Sequence, residues 1–257
     1  MIVRCGLMRK AFGGPAAGGR FLGEVRAAAP KGMTLLETII ATTIFAAMIV
    51  SALGLLSQVV NTADTDMAQT FAEDQVQNAA DAIVMDLKET SPQLCSFYSF
   101  TEDGRQQTAI VFPCARNQNG RFIYKNGTAV SPVPIWQSVR IYCYAGDPAA
   151  GRDDGFIFRY DDYSPRSYTN PITVTQLTDS QIRLSDGTVF SRQGALSANQ
   201  RRTILPGRFI ALWAERDATT GKIRMNVQSR FRQKGGPVGR ENITVTLSNE
   251  VLSRNRN

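Results

Sequence analysis

The longest apolar run in the chain begins at Ile39 and ends at Val60 and contains no charged residue. Only Thr42, Thr43, Ser51, Gly54, Ser57 and Gln58 interrupt it. A helix over this run rises about 33 Å, which matches the thickness of the bilayer hydrocarbon. A cleaved secretory signal peptide is the alternative, but its apolar region is shorter, about 7–15 residues. The pattern therefore predicts a transmembrane helix over residues 33–60.

A helical pattern continues beyond the apolar run, through a segment (61–90) that contains neither glycine nor proline. Its apolar residues recur at steps of three to five and are Met67, Phe71, Val76, Ala80, Ile83 and Leu87. This spacing predicts an apolar stripe along one face of an amphipathic helix. Pro92 ends the helix because it disfavours helical geometry at the residue before it. We expect one helix from Met33 to Thr90, the first half in lipid and the second on a globular domain.

After residue 91, short runs of β-branched and aromatic residues alternate with turn residues such as Asp103-Gly104. Runs of this kind are typical of antiparallel strands joined by tight turns. The predicted strands cover residues 107–112, 135–144, 155–160, 172–177, 208–214, 222–231 and 242–247. The expected fold class is therefore α+β, with a long N-terminal helix packed on an antiparallel, β-rich globular domain at 91–257.

The positive charge of the chain is concentrated before the apolar run. The 257 residues include 29 lysines and arginines against 22 acidic residues, and six of those basic residues lie within 1–32 with a single acid. By the positive-inside rule, such a basic leader stays in the cytoplasm. The rest of the chain is nearly balanced in charge, which argues against a general nucleic-acid-binding role.

The chain contains no histidine, which excludes Ser-His-Asp and Cys-His catalysis and every zinc site that uses histidine. Cys95, Cys114 and Cys143 lie beyond the apolar run, and their spacing is unlike that of zinc or redox CxxC pairs. A disulfide is expected if this part is exported. A hairpin turn between Cys95 and Cys114 would bring these two thiols close together. Cys143 is expected to be a small buried residue on an aromatic strand.

The residues directly before the apolar run are Lys31-Gly32-Met33-Thr34-Leu35-Leu36-Glu37. Glu37 places a carboxylate at the threshold of the membrane helix, where an ionisable group is costly and points to a function. A basic leader, a glycine, this glutamate and a long apolar helix, in this order, closely resemble the N-terminus of type IV pilin-like proteins. That family includes pilins, minor pilins and the pseudopilins of type II secretion.

The resemblance implies specific processing and partners. A membrane-embedded prepilin peptidase would cut between Gly32 and Met33, remove the leader (1–32) and methylate the new N-terminus at Met33. Glu37 would become the fifth mature residue, the characteristic glutamate of the family. The implied partners are other pilin-like subunits, contacted through the N-terminal helix, and an inner-membrane assembly platform. Gly54 falls where many major pilins have a helix-loosening proline, so we expect it to soften the helix.

The resemblance favours a structural subunit without enzymatic activity or a cofactor. The large β domain is similar to that of the J-type minor pseudopilin of type II secretion, assembled at the tip or base of a periplasmic pseudopilus. A W-type minor pilin of a type IV pilus, including a DNA-uptake pilus, is the alternative. Either assignment implies a single-pass protein of the bacterial inner membrane with its globular domain in the periplasm.

Physical chemistry suggests a partner for Glu37. Cleavage would expose the ammonium group of Met33, and the attraction between the two charges is weakly screened in lipid. A pair between neighbouring helices would penalise wrong registers more than it would add stability. The alternative is a glutamate that reaches the membrane interface without a partner.

Two acidic pairs are candidates for calcium binding or acid–base chemistry, Asp153-Asp154 and Asp161-Asp162. Neither pair matches the EF-hand ligand pattern, and adjacent aspartates beside glycine more often mark turns. Calcium is considered only because some pseudopilins bind it.

The nucleic-acid alternative depends on the basic residues of the C-terminal region. These are Arg201, Arg202, Arg208, Arg216, Lys222, Arg224, Arg230, Arg232, Lys234 and Arg240. They are interleaved with acidic residues, which favours a solvated face over a nucleic-acid surface.

Overall fold

A computed structural model describes residues 34–124, 134–147, 154–231 and 243–251. These residues form one long helix, α1 (Leu35–Glu89), a 3-10 helix at Pro92–Leu94 and eleven β-strands. The strands are β1 (Ser96–Glu102), β2 (Arg105–Cys114), β3 (Ser138–Gly146), β4 (Gly155–Asp162), β5 (Val174–Leu177), β6 (Gln181–Leu184), β7 (Val189–Ser191), β8 (Gln200–Ile204), β9 (Ala211–Arg216), β10 (Ile223–Phe231) and β11 (Ile243–Val251). This arrangement confirms the predicted α+β class.

The chain divides into two compact units, and the division falls between Gly54 and Leu55 inside α1. The described part of the first unit is the N-terminal part of α1. The second unit contains the rest of α1 and every described strand. The helix ends close to the predicted position, because Pro92 follows it. The Thr90 hydroxyl donates a hydrogen bond to the Pro113 carbonyl at 2.8 Å, which attaches this end of the helix to β2.

The described strands form three antiparallel sheets. A five-stranded sheet has the order β1-β2-β3-β4-β8, and two three-stranded sheets have the orders β11-β10-β9 and β5-β6-β7. The β1–β2 hairpin turns at Asp103-Gly104, as predicted from the sequence. Both residues have positive φ, 53° and 71°, which is the signature of a two-residue type I′ turn.

The five-stranded sheet is buried on both faces. Successive residues of β2 point to opposite sides of the sheet. Ile110, Phe112 and Cys114 lie in a cluster with α1, β9 and β10. Ala109 and Val111 lie in a second cluster with β5, β6 and β7. The helix and one small sheet therefore cover one face, and the other small sheet covers the opposite face.

The buried face of α1 differs from the predicted stripe at its N-terminal end. The buried helix residues are Ala68, Ala72, Val76, Ala79, Ala80, Ile83 and Leu87. Met67 and Phe71 are 71% and 55% exposed, so the prediction was wrong for these two residues. Ala68 and Ala72 lie about 100° further around the helix and face the domain instead. Their small side chains allow the helix to approach the sheets closely.

A buried glutamine connects the five-stranded sheet to β9. The Gln107 side-chain amide donates to the Ile210 carbonyl at 3.1 Å and accepts from the Leu212 N–H at 2.9 Å. Gln107 is completely buried, and these bonds satisfy both polar ends of its side chain. It thereby occupies the position of a neighbouring strand along the edge of β9.

Candidate assembly site

The first described residues form a capping box at the start of α1. The Thr34 N–H and hydroxyl donate to Glu37 Oε2 at 2.9 and 3.1 Å, and the Glu37 N–H donates to Thr34 Oγ1 at 3.3 Å. Threonine at the N-cap and glutamate three residues later satisfy two backbone donors that have no partner within the helix. The Thr-x-x-Glu spacing in the sequence is the signal for this cap, which the predicted assembly role of Glu37 did not include.

The capping box gives Glu37 a partner within its own chain. Its carboxylate lies at the helix N-terminus, where the helix dipole favours negative charge. None of the three contacts uses Oε1, so the cap engages one oxygen of the carboxylate. Gly32 and Met33 lie outside the described residues, so the predicted cleavage and the pairing with the Met33 amine stay predictions.

The N-terminal part of α1 presents apolar side chains around its whole circumference. Every residue from 34 to 60 is exposed. Among the described helices, α1 is long and apolar enough to span a membrane, by length and composition. Exposed apolar surfaces of this extent are typical of segments that contact lipid or other proteins.

Three hydroxyl groups in the apolar run donate hydrogen bonds to the backbone of the helix itself. Thr42, Thr43 and Ser51 donate to carbonyls one turn earlier, at 2.8–2.9 Å. Lipid offers no hydrogen-bond partners, so a membrane helix must satisfy such groups internally. Gly54 lies within the helix, and beyond the adjacent helix backbone no atom of the described residues lies within 4 Å of the position that its Cβ would occupy. Its predicted softening role stays a prediction.

A buried ionic network joins the C-terminal part of α1 to the five-stranded sheet. Arg140 on β3 contacts Asp86 of the helix at 2.6 Å and Asp161 of β4 at 2.5 Å. The side chains of Arg140 and Asp161 are only 7% and 2% exposed. The Arg159 Nε lies 3.1 Å from Oδ2 of Asp161, the carboxylate oxygen that Arg140 does not contact in its ion pair. Opposite charges therefore neutralise each other beneath the helix.

Burial and the neighbouring carboxylates act in opposite directions on the pKa of Arg140 and in the same direction on the pKa of Tyr142. Burial alone would lower the pKa of Arg140, but Cys114, Asp161 and Asp86 raise it above its ordinary value, so the guanidinium stays charged. Burial, and then the neighbouring Asp86, raises the pKa of Tyr142, whose hydroxyl donates to Asp86. Arg140 therefore stays charged and Tyr142 stays neutral throughout the physiological range.

Two further contacts fix the helix to the domain. The Arg116 Nε donates to Glu89 at 2.7 Å near the end of α1. The Arg208 N–H donates to Gln75 Oε1 at 3.0 Å in the middle of the helix. Gly207 has φ +132°, and a Cβ there would lie 3.0 Å from the same Gln75 oxygen. Glycine is therefore required for this close approach.

The predicted calcium ligands do not form a site among the described residues. Asp161 is paired with two arginines, and Asp162 accepts a hydrogen bond from the Ser164 N–H at 2.9 Å. Asp154 precedes β4, whereas the other two end it, so about seven strand residues (roughly 23 Å) separate them. Asp153 lies outside the described residues. Cationic neighbours make Asp161 a poor ligand for a cation.

The predicted disulfide is not formed in the structure, where Cys95, Cys114 and Cys143 are free, buried thiols. Ser96 pairs with Val111, so continuing the register by one residue places Phe112 opposite Cys95. Cys114 is then a diagonal neighbour of Cys95. The Cα atoms of such neighbours are typically about 7–8 Å apart, which exceeds the usual Cα separation in a disulfide. Burial raises the pKa of both Cys114 and Cys143 to about 12, so neither is a reactive thiolate. Cys143 is 1% exposed, as predicted.

Several of the C-terminal basic residues are engaged within the domain. Arg208 pairs with Asp147 at 2.7 Å, and Lys222 pairs with Glu250 at 3.0 Å. Arg224 lies 3.2 Å from the same Glu250 carboxylate. Arg232, Lys234 and Arg240 lie outside the described residues. The interleaved acids therefore neutralise part of the surface on which the nucleic-acid alternative depends.

The described part of the site consists of a capped helix start, an apolar helix surface and a helix held to its domain by buried charges. Comparison of the chain with protein-family models, curated proteins and solved structures found no match.

Proposed function

We propose that this protein is a membrane-anchored structural subunit of a pilin-like assembly, most similar to a minor pseudopilin of type II secretion. The observation that carries this proposal is the start of α1. A Gly-Met junction precedes a capping box at Thr34 and Glu37, and an apolar helix surface follows directly. Lipid, or the helices of other subunits, would cover that surface.

The proposal assigns separate roles to the parts of the helix. The apolar part holds the subunit in the inner membrane and later packs among other helices in the filament. The part from 61 to 89 carries the globular domain, and Asp86 and Arg140 fix the domain to it. Force or movement applied to the helix is then transmitted to the domain.

Glu37 acts twice in this proposal. Thr34 follows the predicted cut, so the mature chain keeps the capping box. In the assembled state, Glu37 also meets the ammonium group of Met33 on the same or a neighbouring helix. Two charges in a weakly screening environment then set the axial register between subunits.

The size of the β domain supports a minor rather than a major subunit. The ion pairs at Arg208 and Lys222 reduce the free positive charge of the domain, which argues against nucleic-acid binding. The neighbouring genes, in a secretion operon or a pilus operon, would separate a minor pseudopilin from a minor pilin.

Processing is the first test of this function. We expect the full-length chain, expressed in cells that contain a prepilin peptidase, to yield a mature N-terminus at Met33 that carries an N-methyl group. Gly32→Ala should block this cleavage, because the peptidase recognises the glycine before the cut. Mass spectrometry of the N-terminal peptide measures both results.

Gly23→Ala is the matched control, since it changes a glycine elsewhere in the leader and should leave cleavage intact. The proposal fails if wild-type chains never begin at Met33. It also fails if the Gly32→Ala variant matures normally.

A further inference from the structure

The strand β11 lies at the edge of its three-stranded sheet, where β10 is its one neighbour among the described strands. It has nine residues and pairs with β10 in continuous register, without a β-bulge. Its first seven residues, Ile-Thr-Val-Thr-Leu-Ser-Asn (243–249), contain no charge, proline or glycine. Long, regular and uncharged edge strands of this kind readily pair with a further strand.

The other edge strands are shorter or covered. The Gln107 side chain occupies the edge of β9. The strands β5 and β7 have four and three residues, and β1 has seven. The strand β8 has five residues, of which two are arginines, and the Arg202 side chain donates to the Arg192 carbonyl. Short length, charges and covering side chains prevent unwanted strand pairing, and among the described residues β11 lacks these protections along 243–249.

The strand register identifies the backbone groups that form the outer edge of β11. The Asp217 N–H donates to the Lys222 carbonyl at 2.8 Å, so the even-numbered residues of β10 direct their backbone groups towards β9. The odd-numbered residues of β10 bond to β11, where their partners are also odd-numbered. The N–H and C=O groups of Thr244, Thr246 and Ser248 therefore point away from β10, and we call them the outer edge. No described residue forms a hydrogen bond with these groups.

The side chains along β11 alternate between two environments. Thr244, Thr246 and Ser248 are exposed, whereas Val245 and Leu247 are half-buried and pack against the core cluster that contains α1. An added strand would place its own alternate side chains beside these two rows. Apolar side chains would cover Val245 and Leu247, and hydroxyl or other polar groups would meet the threonines. The edge therefore fits a segment in which apolar and polar residues alternate.

A second copy of this chain does not fit the outer edge if both copies are anchored in one membrane. Two β11 edges pair symmetrically as antiparallel strands, about a twofold axis perpendicular to the sheet. The helix α1 lies along this sheet, since Val76 and Leu87 both belong to a core cluster with β10. The axis would point the two helices in opposite directions, whereas subunits anchored in one membrane need the same direction. This step rests on the proposed function.

We propose that the outer edge of β11 binds an extended segment of a different polypeptide, which adds a strand to this sheet. Hydrogen bonds to the backbone of Thr244, Thr246 and Ser248 supply affinity for any extended chain. The half-buried Val245 and Leu247 select segments with apolar side chains at alternate positions. The proposal extends the proposed function, because it names the kind of partner that the β domain takes.

Photocrosslinking of the full-length chain in its own cells tests this proposal. We expect p-benzoylphenylalanine at Thr244 to give an adduct with a different polypeptide. Peptide mapping should place the crosslink in a segment that alternates apolar and polar residues. The same probe at Thr175, which is exposed on β5, is the position control and should not give this adduct.

Proline at the outer edge tests the strand pairing itself. Thr246→Pro removes an outward N–H, and its ring hinders the approach of a strand, so the adduct yield should fall about tenfold. The matched control is Ser99→Pro on β1, which should leave the yield unchanged. Glu102 and Arg105 flank a two-residue turn as a hydrogen-bonded pair, so the Ser99 N–H also points away from its sheet. Equal yields in the two proline variants would overturn the proposal.

A second variant decides the matter if urea unfolding shows that Thr246→Pro is not folded. Thr246→Lys/Ser248→Lys places two charges beside the outer edge, which is how many natural edge strands avoid pairing. Because both side chains are exposed, we expect this variant to fold and to give a lower adduct yield than the wild type. An undiminished yield in the folded lysine variant would contradict strand addition.

The remaining outcomes separate this proposal from the processing hypothesis. An adduct of twice the subunit mass would identify a second copy and overturn the proposal. A crosslink from Thr244 to another part of the same chain would overturn it too, because the chain would then cover its own edge. The absence of any adduct overturns it as well, whether or not Met33 is the mature N-terminus. An adduct with a different polypeptide in a chain that is never cut at Gly32 supports strand addition and contradicts the processing.

Discussion

At the residue scale, Glu37 combines two properties that one substitution can separate. Its carboxylate closes the capping box with Thr34, and its charge is available for a cation on another helix. Glutamine can close a capping box but carries no charge. Thr34→Ala should therefore remove the cap and keep the charge, whereas Glu37→Gln should remove the charge and keep the cap.

We expect Thr34→Ala to cost the start of α1 about 1 kcal/mol of stability, because an N-cap hydroxyl is lost. Amide hydrogen exchange of residues 35–38 in detergent micelles measures this loss. Glu37→Gln should keep most of the protection but abolish filament incorporation, since only the charge is removed.

The control for the cap is Thr43→Ala, which removes a hydroxyl bonded to the Ile39 carbonyl but leaves the capping box intact. Normal filament incorporation of Glu37→Gln would contradict the role of the charge. Unchanged exchange in Thr34→Ala would contradict the cap.

At the element scale, the attachment of α1 to the β domain depends on Arg140. Removing this side chain leaves two carboxylates, Asp86 and Asp161, with Arg159 as their one remaining arginine in this network. We expect Arg140→Met to lower the free energy of unfolding by about 3–5 kcal/mol, because an uncompensated charge in the interior is strongly destabilising. Urea unfolding followed by tryptophan fluorescence measures the change.

The control is Lys222→Met, which breaks an exposed pair with Glu250 and should cost about 0–1 kcal/mol. If the two variants unfold at the same urea concentration, the buried network does not hold the helix. A loss of stability in Arg140→Met that Lys222→Met does not share supports the role of the buried network in holding the helix.

The elements differ in how well their sequence patterns predicted them. All seven predicted strands correspond to observed strands, whereas β1, β6, β7 and β8 were not predicted. The β8 sequence, Gln-Arg-Arg-Thr-Ile, has almost no apolar residue, because β8 lies at the edge of its sheet and has β4 as its one partner among the described strands. Short strands such as β7, with three residues, are too brief for a periodic pattern to emerge.

At the scale of the whole molecule, the apolar part of α1 predicts stable insertion into a membrane. We expect the chain to remain with membranes after an alkaline carbonate wash. The double variant Ile44→Asp/Ile49→Asp should release a large part of it, since an aspartate at the centre of a membrane helix costs about 2.5–3.5 kcal/mol. Immunoblotting of the pellet and the supernatant measures the distribution.

Thr70→Asp/Asn78→Asp is the matched control, because it adds the same charge to exposed positions of α1 beyond the apolar run. Release of the control to the same extent would show that added charge alone detaches the chain. Retention of both variants would contradict the membrane span.

The sequence by itself determined the helix from Leu35 to Glu89, the α+β class and the candidate processing junction at Gly32. These features depend on local properties: apolar length, the proline after the helix, and residues adjacent in the chain. The capping box also belongs to this group, since Thr34 and Glu37 lie three residues apart.

Only the tertiary structure decided which side of α1 is buried, how Arg140 joins Asp86 to Asp161, and how the cysteines lie. The first depends on the small size of Ala68 and Ala72, which allows the helix to approach the sheets. The other two depend on strand register, which places residues far apart in the chain at distances that no local pattern contains.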